Sequence, residues 1–251
     1  MTLDEQARLA FAAEYGAELP PVAVIMAAYR EEASIGDVVS AIPATACGLK
    51  TATIVVVDGS DDDTARVARK HGALVCDVPV NRGQGAALRL GYSVARVAGA
   101  SYIVTIDADG QYDPAEIERI LEPVVQGEAD FATGSRRLGH HETDDLVRHV
   151  GVRFFAWLVS RLSGQRITDT SFGLRAMRAE VTGEVRLRQP QYQSAELLIG
   201  VIARGHRVVE VPGSMLRRVA GESKKGNNLL YGYRYACVVA GTWWREHRAD
   251  R

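Results

Sequence analysis

The sequence predicts an α/β protein built on a single, mostly parallel β-sheet flanked by helices. The first indication is a series of uninterrupted apolar runs, such as "VAVIMAAY" at 22–29 and "TATIVVVD" at 51–58, because strands of a buried parallel sheet are apolar on both faces. The second is that helical stretches follow these runs through short connections, as in βαβ units. A chain of 251 residues suits one such domain with a smaller C-terminal extension.

The elements alternate regularly over the first 135 residues. Apolar periodicity, caps and breakers such as Ser34, Gly72 and Pro114 set their limits. Helices are predicted at 3–15, 34–42, 61–72, 85–99 and 113–127, and strands at 22–29, 51–58, 73–80, 101–107 and 129–135. Beyond these we expect helices at 144–164 and 194–205, a strand at 207–213, and a basic loop with a C-terminal helix. The chain is predicted to divide into an N-terminal helix (1–20), a main α/β domain (21–215) and a basic loop with a C-terminal helix (216–251).

Composition excludes several classes of protein. Thirty basic and thirty-one acidic side chains give a net charge of −1, so nucleic acid is not an expected partner. The three scattered cysteines lack metal-ligand spacing and favour buried thiols in a reducing compartment. The acidic N-terminus does not resemble a signal peptide, and the apolar runs are shorter than the ~20 residues that span a bilayer. We therefore expect a cytoplasmic protein, at most peripheral at a membrane surface.

Three aspartates, Asp107, Asp109 and Asp113, lie within seven positions directly after the apolar run "SYIVTI". They have three interpretations. They form a solvated turn, or Asp113 caps the helix that begins at Pro114, or the cluster holds a divalent cation. Hard carboxylate oxygens suit Mg²⁺ or Mn²⁺, and substrate phosphates would complete the coordination. Because such sheets bind ligands beyond the carboxyl ends of their strands, a site at this edge is expected.

Two further segments have features of phosphate-binding sites. The glycines of "NRGQGAALRLG" (81–91) permit close backbone approach, and the helix that follows could direct its N-terminus at an anion. The segment is an incomplete dinucleotide fingerprint, since Leu88 occupies the position of the third glycine. The segment "LRRVAGESKKG" (216–226) is either a solvated basic loop or a set of cations that neutralises a departing diphosphate.

Together these segments resemble glycosyltransferase family 2, which has the GT-A (nucleotide-diphospho-sugar transferase) fold, and within it the polyprenyl- and dolichyl-phosphate sugar synthases. The similarity covers residues 21–230, so 21–215 would be the catalytic domain. The matching segments, in the family's order, are "VAVIMAAYREEASIGDVV", "IVVVDGSDDDT", "NRGQGAALRLGY", "IDADGQYDP", "DTSFGLRAMRAE" and "VPGSMLRRVAGESKKG". The ordered series is more specific than any one motif.

The resemblance implies roles for the matching residues. The residues implied to bind the nucleotide sugar are Ala27, Tyr29, Glu31, Asp58, Asn81, Gly83, Gln84, Asp107 and Ala108. Those implied to bind the metal, Mn²⁺ or Mg²⁺, are Asp107, Asp109 and Gln111. Those implied to hold phosphate are Arg217, Ser223 and Lys224. Asp109 and Arg217 would act directly in catalysis, and Asp169 lies in the segment that faces the acceptor.

The sequence departs from the family pattern at three positions. Gly59 replaces the second of two paired acids, so a nucleotide contact is missing or passes to Asp61. Gln84 replaces a frequent lysine, and Ala27 replaces a proline. These differences bear on which base is bound and leave the class unchanged.

The expected reaction is inverting transfer of a sugar from a UDP- or GDP-sugar, with metal and basic loop stabilising the leaving diphosphate. A polyprenyl phosphate acceptor needs no general base, whereas a hydroxyl acceptor would need one, for which Asp169 is the candidate. The alternatives are a GT-A enzyme acting on a soluble hydroxyl, a nucleotidyltransferase that releases pyrophosphate, and a non-catalytic binding module.

The helix that contains "FFAWLVSRL" (154–162) bears on the acceptor. It could lie in a membrane interface with Arg148, Arg153 and Arg161 near lipid headgroups. Its pattern fits an ordinary core helix equally well.

Overall fold

A computed structural model of the chain describes residues 1–141, 146–216 and 228–249. The strands are β1 (Val22–Ala28), β2 (Thr45–Ala46), β3 (Leu49–Asp58), β4 (Leu74–Val78), β5 (Tyr102–Thr105), β6 (Phe131–His141), β7 (Arg175–Arg178) and β8 (Val208–Met215). The helices are α1 (Leu3–Tyr15), α2 (Ile35–Ala41), α3 (Thr64–Lys70), α4 (Gln84–Val97), α5 (Ile117–Val125), α6 (Leu146–Ser163), α7 (Val181–Glu184), α8 (Gln193–Ala203) and α9 (Asn228–Ala249). A 3₁₀ turn at Pro114–Glu116 precedes α5.

The strands form one mixed sheet in the order β4-β3-β1-β5-β7-β6-β8, and the two-residue strand β2 forms a hairpin with the start of β3. Strands β4, β3, β1 and β5 are mutually parallel. Strand β7 runs antiparallel to both β5 and β6, and β8 is parallel to β6. The prediction of a mostly parallel α/β sheet is confirmed.

Two apolar cores cover the two faces of the sheet. Alternate residues of β1 point to opposite faces, so Ala23 and Ile25 pack with α4, α8 and α9, whereas Val24 and Met26 pack with α2 and α5. The N-terminal helix α1 contributes Phe11 to the first core. It therefore packs on the same sheet as the rest of the chain.

The predicted strands and helices of the first 135 residues are all present, with limits shifted by a few residues. Asp113 caps the turn at Pro114 as expected, because its carboxylate accepts a hydrogen bond from the amide of Ala115 at 2.9 Å. Ser34 behaves differently. It occupies the N-cap position of α2 without capping it, and its hydroxyl donates to the carboxylate of Glu31 at 3.2 Å.

The sequence pattern did not predict strand β7. Its residues "RAMR" look amphipathic and polar, yet Arg175 is buried and its guanidinium donates to the carbonyls of Phe172, Thr170 and Ser194 at 2.6–3.0 Å. Burial lowers the pKa of Arg175. The arginine thus joins the segment before β7 to the start of α8.

Helices α6, α8 and α9 pack together within the first core. Trp243 of α9 donates its indole N–H to the carbonyl of Leu162 in α6 at 3.2 Å, and Phe155 of α6 packs against Tyr235 of α9 with tilted rings whose centroids are 4.5 Å apart. Over the described ranges, no helix is both long and apolar enough to cross a membrane.

Asp130, directly before β6, should make stability depend on pH. Hydrogen bonds from the side chain of Arg207 lower its pKa from 3.8 to about 2. Because the folded state has the lower pKa, this contribution is complete above about pH 4 and is lost as the pH falls toward 2. We expect Asp130→Asn to lower the free energy of unfolding by about 1 kcal/mol at pH 7, after solvent screening. In urea titrations this difference should vanish near pH 2.

The matched control is Asp63→Asn, which removes a salt bridge between two largely exposed side chains, Asp63 and Arg66. Exposed pairs of this kind contribute little to stability. Equal effects of the two substitutions, or a difference that persists at pH 2, would contradict the assignment.

Candidate active site at the carboxyl edge of the sheet

A cavity of about 420 Å³ opens beyond the carboxyl ends of β1, β3 and β5, where a parallel sheet is expected to bind ligands. It brings together every described residue that the resemblance assigns to the nucleotide sugar or the metal. These lining residues are Ala27, Tyr29, Glu31, Asp58, Asn81, Gly83, Gln84, Asp107, Ala108, Asp109 and Gln111.

Asp58, at the end of β3, is only 2% exposed and organises the neighbouring loop. Its Oδ2 atom accepts hydrogen bonds from the amides of Arg82 and Gly83 at 2.8 and 2.7 Å. Its Oδ1 atom is buried, accepts no hydrogen bond from the described part of the chain, and lies 3.7 Å from Nε of Arg82. Arg82 is held in turn by Asp4 of α1 at 2.6 Å.

The glycine that replaces the second acid has a steric cause. Gly59 has a φ of +68°, a conformation that L side chains rarely adopt, and a Cβ atom there would lie 2.2 Å from the amide nitrogen of Asn81. An aspartate would not fit against this loop. Glycine at position 59 therefore permits the close approach of the loop that begins at Asn81.

The acidic cluster after β5 is held by neutral donors. Nε2 of Gln84 donates to Oδ1 of Asp107 at 3.0 Å, and the amide of Gln111 donates to Oδ1 of Asp109 at 3.1 Å. A lysine at position 84 would bring a positive charge to the same carboxylate. The glutamine supplies the hydrogen bond without this charge, so more negative potential remains at the cluster.

The donor set at Asp107, Asp109 and Gln111 suits a hard divalent cation. It consists of two carboxylates and an amide oxygen facing a cavity, and such oxygens are the ligands of Mg²⁺ and Mn²⁺. In the described ranges, no group of three or more His, Cys, Asp or Glu residues has a metal-binding arrangement. Two carboxylates alone leave room for ligand phosphates, as in sites where a cation binds together with a nucleotide.

Three amides in the first turn of α4, those of Gly85, Ala86 and Ala87, have partners within the protein and are not free to bind an anion as the sequence suggested. The amide of Gly85 donates to the carbonyl of Pro190 at 2.9 Å, and the amides of Ala86 and Ala87 donate to the carbonyl of Gly83. Protein carbonyls therefore satisfy these first-turn donors.

A second wall of the cavity comes from the second half of the chain, and sequence analysis missed most of it. Tyr235 of α9 contributes to it, with its hydroxyl donating to Oγ1 of Thr170 at 2.8 Å. The other members are Ser171, Gly173, Gln191, Tyr192, Ser194 and Met215. Ser171 and Gly173 belong to the segment "DTSFGLRAMRAE" and Met215 to "VPGSMLRRVAGESKKG"; the remaining residues carry no local motif.

Asp169 lies behind this wall rather than in it. It is fully buried, and its carboxylate pairs with the guanidinium of Arg136, whose Nε lies 2.6 Å from Oδ2. Oδ1 also accepts from the amide of Ser171 at 3.0 Å. The amides of Thr168 and Asp169 donate to Glu210 on β8, whose pKa is raised by burial. These contacts argue against Asp169 as a general base and indicate that it positions the segment carrying Ser171.

Arg217, Ser223 and Lys224, which the resemblance assigns to phosphate binding, lie outside the described residues. The residue before them, Leu216, is bound to Gln111: the Leu216 amide donates to the Gln111 carbonyl at 2.9 Å, and Nε2 of Gln111 donates to the Leu216 carbonyl at 3.4 Å. The end of β8 is therefore fixed beside the acidic cluster.

Comparison with known proteins identifies relatives that match most of the chain. Over 203 residues the chain is 35% identical to a dolichyl-phosphate hexose transferase of Haloferax volcanii, covering 81% of this chain and 86% of the relative. It is 29% identical to an undecaprenyl-phosphate 4-deoxy-4-formamido-L-arabinose transferase of Aeromonas hydrophila, and the match covers 88% of this chain and 68% of the relative.

A similar fold occurs in the crystal structure of glucosyl-3-phosphoglycerate synthase from Mycobacterium tuberculosis, in complex with Mn²⁺, UDP and glucosyl-3-phosphoglycerate. The TM-score is 0.71 at 23% identity, with 96% of this chain and 84% of that chain covered. Residues 23–186 match the family described as Glycosyl transferase family 2. The chain therefore belongs to glycosyl transferase family 2 and is a glycosyltransferase with the GT-A fold.

Proposed function

We propose that the protein is an inverting, metal-dependent glycosyltransferase that transfers a sugar from a UDP- or GDP-sugar to a polyprenyl phosphate. The observation that carries the proposal is the cavity itself. It brings Asp107 and Asp109 together with Ser171 and Tyr235, so that a donor diphosphate and an acceptor can meet in one cavity.

The donor would lie along the strand ends. Ala27 lies near the end of β1, Tyr29 and Glu31 follow that strand, and Asp58 ends β3. We propose that these residues hold the base and ribose, with Asp58 acting through the loop at Arg82 and Gly83, whose amides it binds.

The diphosphate would lie at Asp107, Asp109 and Gln111. When bound there, Mg²⁺ or Mn²⁺ supplies a Lewis acid that stabilises the negative charge of the leaving nucleoside diphosphate. Asp107 and Asp109 hold the site through their carboxylates, and Gln84 orients the first of them. Arg217, Ser223 and Lys224 are proposed to bind phosphate from the adjoining segment.

The composition of the second wall favours an acceptor that is already anionic. The four carboxylates lining the cavity, those of Glu31, Asp58, Asp107 and Asp109, all follow β1, β3 or β5. The described lining residues from 171 onward include no carboxylate and no histidine. A hydroxyl acceptor needs a base there, whereas a phosphate monoester oxygen attacks the anomeric carbon unaided while the C–O bond to the diphosphate breaks and its electron pair leaves with the diphosphate.

Two observations support a lipid as the carrier of that phosphate. The names of two relatives specify dolichyl-phosphate and undecaprenyl-phosphate. In addition, α6 exposes Phe154 and Trp157, the latter 62% exposed, beside the exposed side chains of Arg153 and Arg161. Aromatic and basic residues on one helix are typical of elements that lie at a membrane surface. The second candidate is transfer to a soluble acceptor, as in the structurally similar synthase from Mycobacterium tuberculosis, a likeness of fold alone.

The test of the function is nucleoside diphosphate release from a panel of UDP- and GDP-sugars, with Mn²⁺, Mg²⁺ or EDTA, and with or without a short polyprenyl phosphate. We expect release that requires the metal and rises with the lipid. Asp109→Ala should reduce kcat/KM about 1,000-fold, since it removes roughly 4 kcal/mol of transition-state stabilisation.

The matched control is Asp113→Ala, in the same acidic segment, which removes only the cap on Ala115. It should cost about 1 kcal/mol of stability with activity kept within about twofold. Release that is indifferent to the lipid would establish the soluble-acceptor alternative, and release of pyrophosphate would establish a nucleotidyltransferase.

The membrane contact is tested by flotation with vesicles of phosphatidylethanolamine and phosphatidylglycerol. The double variant Phe154→Ser/Trp157→Ser should lower the bound fraction about fivefold or more, because it removes the exposed aromatic surface of α6. Leu9→Ser is the control, since Leu9 is an equally exposed apolar residue on α1. Absence of wild-type binding, or equal loss in both variants, would exclude α6 as the contact.

The role of Asp169 is tested by thermodynamics. Asp169→Asn leaves the buried Arg136 guanidinium without its counter-charge, so we expect a loss of about 3–5 kcal/mol in the free energy of unfolding. Adding Arg136→Met should recover part of that loss, as judged by urea unfolding of all four proteins. A stable but inactive Asp169→Asn enzyme would instead support the general-base role.

A further inference from the structure

We infer that Glu196 and Arg245 are positioning residues that hold the segment 188–192 against the start of α4. This segment carries Gln191 and Tyr192 of the second wall into the cavity. The inference deepens the proposed function, since this wall would face the nucleotide sugar. The two residues lie in α8 and α9, outside the cavity, and neither belongs to the segments that resemble the family.

Glu196 is fully buried in the first turn of α8, and its carboxylate has a full set of partners. Oε2 accepts hydrogen bonds from the amides of Arg188 and Gln189 at 2.8 and 2.9 Å. Oε1 accepts from Nη2 of Arg245 at 2.9 Å. A buried carboxylate persists as an anion only when paired and hydrogen-bonded, so the guanidinium allows Glu196 to hold the two amides.

The segment held by Glu196 directly contacts the first turns of α4. The carbonyl of Pro190 accepts the amide of Gly85 at 2.9 Å, and the carbonyl of Gln189 accepts from Nη1 of Arg89 at 3.2 Å. A Cβ atom on Gly85 would lie 1.9 Å from the Gln189 oxygen. Such close approach means that a shift of Gln189 would move the adjoining side chain of Gln84, which binds Asp107.

The other end of the segment enters the cavity in a strained conformation. Tyr192 lines the cavity and has φ +62° and ψ +18°. This left-handed conformation costs a non-glycine residue about 1 kcal/mol or more, so surrounding contacts must enforce it. Its carbonyl accepts the amide of Ala195, and its ring packs against Tyr235 at 5.7 Å. The backbone bonds made by Glu196 fix the segment that leads into this residue.

Arg245 also ties the segment to α9. Its Nη2 donates to the carbonyl of Arg186 at 3.1 Å, and its Nε donates to Glu246 at 3.0 Å. The helix that carries Tyr235 into the cavity therefore also carries the cation that holds segment 188–192. A displacement of α9 would therefore affect both Tyr235 and the position of segment 188–192.

A purely structural ion pair would give the same contacts, and a matched variant separates the two roles. Arg204 pairs with Glu246 of α9, and its side chain is 24% exposed against 23% for Arg245. Within the described part of the chain, the Arg204 side chain donates hydrogen bonds to Gly200 and Glu246 and none to residues 188–192. Arg204→Met should therefore weaken the packing of α9 and leave the cavity wall in place.

The experiment compares Arg245→Met, Arg245→Lys and Arg204→Met by two readouts. Hydrogen exchange, without any ligand, should accelerate at the amides of Gly85 and Arg188–Gln189 in Arg245→Met only. The dissociation constant for UDP or GDP, whichever the wild type binds with Mg²⁺, should rise about tenfold in Arg245→Met. It should recover in part in Arg245→Lys and stay within about twofold of wild type in Arg204→Met.

Unchanged exchange at Gly85 in Arg245→Met, or equal effects of Arg245→Met and Arg204→Met on nucleotide binding, would overturn the inference. Failure of the wild type to bind either nucleotide would overturn the proposed function instead. The positioning of segment 188–192 would then be decided by exchange alone, which needs no nucleotide.

Discussion

The convergence of four carboxylates on one edge of the sheet is the constraint to which the rest of the site responds. Glu31, Asp58, Asp107 and Asp109 line a single cavity. Backbone and side-chain amides, such as that of Gln84, bind three of these four carboxylates, and Nε of Arg82 lies 3.7 Å from the carboxylate of Asp58. Amide donors fix the orientation of a carboxylate without adding a positive charge. An ordered set of carboxylates suits a divalent cation that arrives together with an anionic ligand.

The need to order this edge explains why distant segments converge on it. The loop at Asn81 is drawn to Asp58 closely enough that position 59 must be glycine, and the end of β8 is bound to Gln111. Segment 188–192 contacts the start of α4, where the carbonyl of Pro190 accepts a hydrogen bond from the amide of Gly85. In this way strand ends supply the carboxylates, residues 82–84 and Gln111 bind them, and later parts of the chain hold the start of α4 and Gln111 in place.

The strand-end half of the site could be predicted from sequence because local patterns encode it. Apolar runs fix β1, β3 and β5, and the polar residues that follow, such as Asp58 and Asp107, must then meet at one edge. The second wall was not predictable in this way. Tyr235 reaches the cavity only through the packing of α9 on α6 and α8, and the pairing of Asp169 with Arg136 joins positions 33 residues apart. No local pattern distinguishes such a buried pair from a catalytic carboxylate.

The same helix packing connects the exposed surface of α6 to the cavity. Tyr235 in the cavity packs against Phe155 of α6 with ring centroids 4.5 Å apart, and Phe155 contacts Phe154, which is half exposed beside Trp157. An aromatic series therefore runs from the outer surface of α6 to the second wall. A lipid phosphate anchored at that surface, as proposed, would reach the cavity along this series, whereas the proposed nucleotide lies at the ends of β1 and β3. Different parts of the chain would thus bring the two proposed substrates to one cavity.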